Sequence, residues 1–132
     1  MTEELYWLIL TATMTALFWL PYILNRTLVR GIMGGMANPS PDDIPQSDWA
    51  IRAQAAHINA VENLVVFAPL VIAVEILSVG NSMTANACMV YFVARLGHYA
   101  VYTAGIPVVR TLTFAVGFMA QMALALHLLG AI

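Results

Sequence analysis

Few polar residues in this chain could do chemistry, and their spacing groups them. Arg52, Ala55, Asn59 and Glu62 are separated by three, four and three positions, which puts them on one face of a helix. Arg95, His98 and Tyr102 repeat the three-four spacing, and Arg110 follows with Thr111 beside it. Guanidinium groups gathered with few acids suit an anionic ligand, because Arg grips a carboxylate through two parallel hydrogen bonds. Glu62 suits a ligand ammonium. Together they match a zwitterionic small molecule with several carboxylates. A buried Glu62–Arg95 ion pair with no ligand is the competing reading of the same residues. His57 lies off the Asn59–Glu62 face and reads as a packing residue, and His127 reads as interfacial. The histidines are too scattered to form a metal set. Cys88 is the only cysteine, so an intramolecular disulfide, a Cys-x-x-Cys redox pair and a cysteine zinc cluster are all excluded. It reads as a small core residue.

These side chains need elements to hold them, and composition says what kind. The chain has 132 residues, 61% hydrophobic and only 9% charged. A soluble domain has about 25% charged residues, so a water-facing surface cannot be built from this chain, and disorder is excluded as well. The five basic residues are all Arg and the net charge is −2, so nothing attracts a phosphate backbone strongly and nucleic-acid binding is not expected. The chain reads as a single membrane domain, residues 1–132, with spans at about 5–28, 49–77, 83–104 and 108–129. The acidic Thr2-Glu3-Glu4 flank marks the first span as retained rather than as a cleaved signal. Pro21 predicts a kink near its end. Pro- and Asp-rich residues between Met36 and Asp48 form the first loop, with Ser47 or Asp48 as the N-cap of the second span. Gly80-Asn81-Ser82 and Gly105-Ile106-Pro107 make the tight later turns.

Short connections predict antiparallel neighbours, hence an all-α, up-down four-helix bundle in the membrane. Arg26, Arg30, Arg52 and Arg110 fall at the ends joined by the first and third loops, and the opposite ends carry no Lys or Arg. The positive-inside rule then places those loops in the cytoplasm and both termini outside. Every span contributes polar groups to the cytoplasmic half, so a ligand would enter from the cytosol.

His57-Ile58-Asn59-Ala60-Val61-Glu62-Asn63 resembles the His-x-Asn-x-x-Glu-Asn stretch in the second span of the MAPEG family, the membrane-associated proteins in eicosanoid and glutathione metabolism. Ala37-Asn38-Pro39 resembles that family's first loop. Arg95-x-x-His98-x-x-x-Tyr102, then Pro107 and Arg110-Thr111, resembles its third-to-fourth span region. The resemblance, which looks like that of a bacterial-type member, implies a homotrimer with a glutathione site between subunits. It implies that Arg30, Asn59, Glu62, Arg95, His98, Tyr102 and Thr111 bind glutathione. It also implies that Arg110 is catalytic, holding the glutathione thiolate for attack on a lipophilic electrophile or a lipid peroxide. Glutathione would be co-substrate, and membrane lipids and a lipophilic substrate the other partners, with no metal. The chain departs from the family pattern at Ala55, where many members carry Arg, and at Phe114, where some carry Tyr. A non-catalytic member that binds a lipid or an anionic metabolite is the alternative. A small proton-coupled exporter is disfavoured, because the first span has no acid.

Overall fold

In a computed structural model that describes residues 1–132, the first apolar stretch is broken at Phe18 into α1 (Glu3–Leu17) and α2 (Trp19–Met36). Pro21 explains the break and its position. A proline ring opposes the carbonyl four residues earlier, here that of Leu17, so the interruption falls one turn before Pro21 rather than at it. The Tyr99 hydroxyl donates to the Phe18 carbonyl at 3.0 Å. The Phe18 and Tyr99 rings stack with centroids 3.8 Å apart. A second break comes at Gly31, whose φ of 73° lies in the left-handed region. Helical structure nevertheless continues to Met36, past the expected end near residue 28.

The loop after α2 folds back onto that helix. Buried Asn25 holds it, donating to the Ser47 hydroxyl at 2.9 Å and accepting from the Ser47 backbone N–H at 3.1 Å. Ser47 is the N-cap residue of α3 (Asp48–Leu77), but its side chain makes no capping bond. The capping role expected for its hydroxyl is therefore replaced by the bond from Asn25. α4 (Ser82–Ala104) begins with a capping box that the sequence reading missed, in which Asn81 and Thr84 satisfy each other's backbone N–H groups. It ends at Gly105, with a left-handed φ of 80°. Pro107 then opens α5 (Pro107–Leu128), at the position where its missing N–H costs nothing.

All secondary structure is helical. α4 packs against α1, α3 and α5, and eight of its 23 residues are buried. The core joins Phe67, Val71 and Val74 of α3 to Cys88 and Tyr91 of α4 and Leu124 of α5, with Phe67 stacked on Tyr91 at 3.8 Å. Ala50, Ala53, Ala56 and Ala60 form a buried small-residue face on α3, which lets helices approach closely.

Three helical stretches, Glu3–Met36, Asp48–Leu77 and Pro107–Leu128, are long and apolar enough to cross a membrane. α4 is of comparable length, about 35 Å at about 1.5 Å per residue, but more polar, and it packs against α1, α3 and α5 while Val90, Val93 and Leu96 stay exposed. Polar contacts mark two ends of the bundle. At one end Arg52 Nε donates to the Thr103 carbonyl at 3.0 Å, tying the start of α3 to the end of α4. At the other, Thr84 donates to Glu4 at 2.6 Å, Thr2 to Glu75 at 2.5 Å, and His127 Nε2 to the Val79 carbonyl at 2.8 Å. α3, α4 and α5 therefore run antiparallel in sequence.

Candidate functional site

Asn59 of α3, Arg95, His98 and Tyr102 of α4, and Arg110 of α5 come together at the arginine-bearing end. Arg95 is 2% exposed, and its Nη2 donates to Asn59 Oδ1. Asn63, one turn along α3, donates to the Asn59 carbonyl at 2.8 Å, and its own carbonyl accepts from Gln121 of α5 at 2.9 Å. α5 supplies the space that Arg95 needs. A Cβ on Gly117 would stand 3.3 Å from Arg95 Cδ, so only glycine leaves the side chain uncrowded. Phe114 lies beneath the guanidinium, with its ring centre 5.8 Å from Arg95 Cζ.

His98 is buried, with 3% exposure. Its Nδ1 lies 3.0 Å from the Arg110 carbonyl oxygen and 3.3 Å from Thr113 Oγ1. The Thr113 hydroxyl itself donates to the Arg110 carbonyl at 2.9 Å. The Tyr102 ring meets the His98 ring edge-on at 5.6 Å, and Arg110 Cζ sits 4.6 Å from the centre of that Tyr102 ring. His98, Tyr102 and Arg110 thus form a connected triangle, with Arg95 and Asn59 one turn deeper.

Several buried polar atoms in this cluster have no partner: Arg95 Nε and Nη1, and His98 Nε2. Buried polar groups are nearly always satisfied, so orphaned donors on a buried cation mark a place where a ligand atom or water belongs. The one ion pair in the chain is Arg30 with Asp43, at 3.0 Å. No carboxylate neutralises Arg95, so the Glu62–Arg95 ion pair considered from sequence does not form.

Three of the expected residues lie apart from this cluster. Arg30 is occupied by Asp43 and by the Ile44 carbonyl, which accepts from its Nε at 2.7 Å. Glu62 faces outward from α3 and is exposed. Thr111 is exposed, and its hydroxyl donates back to the Pro107 carbonyl at 3.2 Å. Ala55, on the Asn59 face, is partly buried. His57 accepts or donates a bond with the Tyr22 hydroxyl at 2.9 Å, across the α2–α3 contact. Sequence reasoning missed Thr113 and Gly117. Both lie on α5 at three- and four-residue steps from Arg110, a spacing that could have flagged them.

Beside Thr113, an apolar cavity of about 480 Å³ lies between α4 and α5, lined by Val93, Ala94, Gly97, Leu112 and Val116 among others. The cluster can therefore hold an anionic group on Arg95 and Arg110 while an apolar surface lies next to it. Compared with known families, the chain matches the MAPEG family over residues 5–130. Compared with proteins of curated function, it has no match.

Proposed function

The chain is an integral membrane protein of the MAPEG family, and from that premise we propose that it is a glutathione-dependent transferase or peroxidase. One observation carries this reading. A buried arginine with orphaned donors, a second arginine and a histidine converge beside an apolar cavity, with no carboxylate to neutralise them. Glutathione supplies the missing anionic groups. Arg110 holds the sulfur as thiolate, since a neighbouring guanidinium lowers a thiol's pKa and the thiolate is the nucleophile. Asn59, Arg95, His98 and Tyr102 hold the peptide. The thiolate then attacks a lipophilic electrophile that arrives from the bilayer and displaces its leaving group. Alternatively it attacks a lipid hydroperoxide, breaking the O–O bond to leave a lipid alcohol and a sulfenic acid that a second glutathione reduces to the disulfide and water.

Glu62 supports assembly with further copies, and homotrimerisation is part of the proposal. It stands near the middle of the 30-residue α3, exposed on the outside of the single chain. A carboxylate at that depth against lipid is costly, so a neighbouring subunit or the ligand ammonium covers it. The same assembly brings Glu62 and Arg30 toward a shared site. In this reading the arginine-bearing end faces the cytoplasm, the site opens there, and both termini lie on the other side.

The test is the ultraviolet absorbance of the glutathione thiolate on the detergent-purified protein at neutral pH. Wild type gives the signal and Arg110→Ala lowers it by about 10²-fold or more, the scale of losing one charge-stabilising donor. Absence of any signal in wild type at saturating glutathione overturns the enzyme reading. Native mass spectrometry in the same detergent gives the subunit count. A second reading, a non-catalytic member binding a lipid or anionic metabolite, is favoured by Ala55 and by the apolar Phe114 beside Arg95. That reading predicts ligand-dependent thermal stabilisation without thiolate.

A further inference from the structure

The bonds around His98 determine which of its nitrogens carries the hydrogen. The Arg110 carbonyl can only accept, so the 3.0 Å contact requires an N–H at Nδ1. Thr113 reinforces this. Its hydroxyl hydrogen is directed to backbone carbonyls, at 2.9 Å from that of Arg110 and 3.0 Å from that of Val109, so its oxygen presents a lone pair to Nδ1. The ring's only bonded neighbours are the Arg110 carbonyl and the Thr113 hydroxyl, both on Nδ1, and no carboxylate pairs with it. A second N–H at the buried Nε2 would have no acceptor, so the free ring is neutral. A neutral ring with hydrogen on Nδ1 has a bare lone pair on Nε2, and Nε2 is buried without a partner. One turn earlier on the same helix, Arg95 carries two unpartnered donors. An orphan acceptor beside orphan donors is the complement of a group that both donates a proton and bears negative charge once it has done so.

We propose that His98 Nε2 is the general base that takes the proton from the thiol of the bound ligand, with Thr113 as the positioning residue that keeps Nε2 unprotonated beforehand. This rests on the proposed glutathione chemistry and adds the destination of the proton. In the step, the S–H bond breaks, its electron pair stays on sulfur, and the proton forms an N–H bond on Nε2. The products are a thiolate beside Arg110 and Arg95 and an imidazolium on His98. When sulfur bonds to the electrophilic carbon, the leaving group departs with the pair of the bond that breaks. The imidazolium then returns its proton to that leaving group or to water. The new positive charge on His98 is tolerated only because the thiolate appears at the same moment, so the two charges form together.

The experiment counts protons. Stopped-flow mixing of wild type with glutathione at neutral pH, in weak buffer with a pH indicator, is read together with the thiolate absorbance. Retention of the proton on His98 gives a thiolate burst with well under one proton released per thiolate. A release of about one proton per thiolate throughout the burst overturns the proposal and leaves the glutathione reading intact. Absence of thiolate in wild type removes both. His98→Asn keeps an amide donor near the Nδ1 position and has no basic atom. Its thiolate yield at neutral pH falls about 10²-fold, the scale of a lost general base, and whatever forms releases its proton to solvent. Thr113→Val keeps the ring but weakens its orientation, so the burst slows several-fold while glutathione affinity holds. An unchanged burst in a folded His98→Asn variant overturns the proposal, and the wild-type count decides the matter if that variant does not fold.

Discussion

The two ends of the bundle treat buried polar groups in opposite ways. At the acidic end, Glu4 is 5% exposed, yet it accepts the Thr84 hydroxyl. Glu75 accepts from Thr2, and the Asn81–Thr84 capping box completes the start of α4. In the nearby cavity of about 570 Å³, two of the lining carboxylates, Glu4 and Glu75, already have hydroxyl partners. At the basic end, Arg95 and His98 are as deeply buried but keep unpartnered nitrogens, and no carboxylate stands against them. Satisfied polar groups lock helix ends together. Unsatisfied ones hold free energy that a ligand can recover on binding. The acidic end is built for stability, and in the proposed function the basic end gives some of it up for binding.

Substitutions can break this comparison in either direction. The largest expected effect is at Arg95. Arg95→Met removes a buried charge without a counter-charge, which outweighs the lost bond to Asn59, so the unliganded protein is at least as stable while glutathione binding is lost. Thermal unfolding in detergent, with and without glutathione, reads both. A destabilised Arg95→Met protein would mean that the charge is compensated within the assembly. Next comes Thr84→Val at the acidic end. It strips Glu4 of its hydroxyl partner and the Asn81 N–H of its cap, and costs about 1–3 kcal/mol with thiolate formation unchanged. Loss of thiolate in a folded Thr84→Val protein would show that the two ends are coupled.

Smaller effects sharpen the boundary of the site. Gly117→Ala puts a methyl 3.3 Å from Arg95 Cδ. Stability changes by about 1 kcal/mol, and calorimetry shows a several-fold weaker glutathione affinity as the guanidinium is displaced. Thr111→Ala is the smallest, within about 0.5 kcal/mol of wild type, because its hydroxyl is exposed and bonded only to the Pro107 carbonyl. A glutathione KM raised tenfold or more in Thr111→Ala would instead place that hydroxyl on the ligand in the assembled protein.

Composition alone made this a membrane protein, since 9% charged residues cannot cover a water-facing surface. The helical spacing of Arg95, His98 and Tyr102 puts them on one face, because that periodicity is a property of the helix itself. The joint order of Asn59, Glu62, Arg95, His98, Tyr102 and Arg110 was enough to point to the MAPEG family, which the match over residues 5–130 establishes. Partnership was not legible. Spacing cannot say whether Asn59 or Glu62 meets Arg95, because both share a face of α3, and the rotation of α3 against α4 turns Asn59 inward and Glu62 out. Nor could it show that Arg30 closes on Asp43, since the route of a loop rich in proline depends on what it packs against. The break at Phe18 was foreseeable in kind from Pro21, but its partner Tyr99 comes from α4. The tautomer of His98 belongs wholly to the tertiary structure. It depends on a carbonyl and a hydroxyl from α5, groups that no local pattern on α4 can supply.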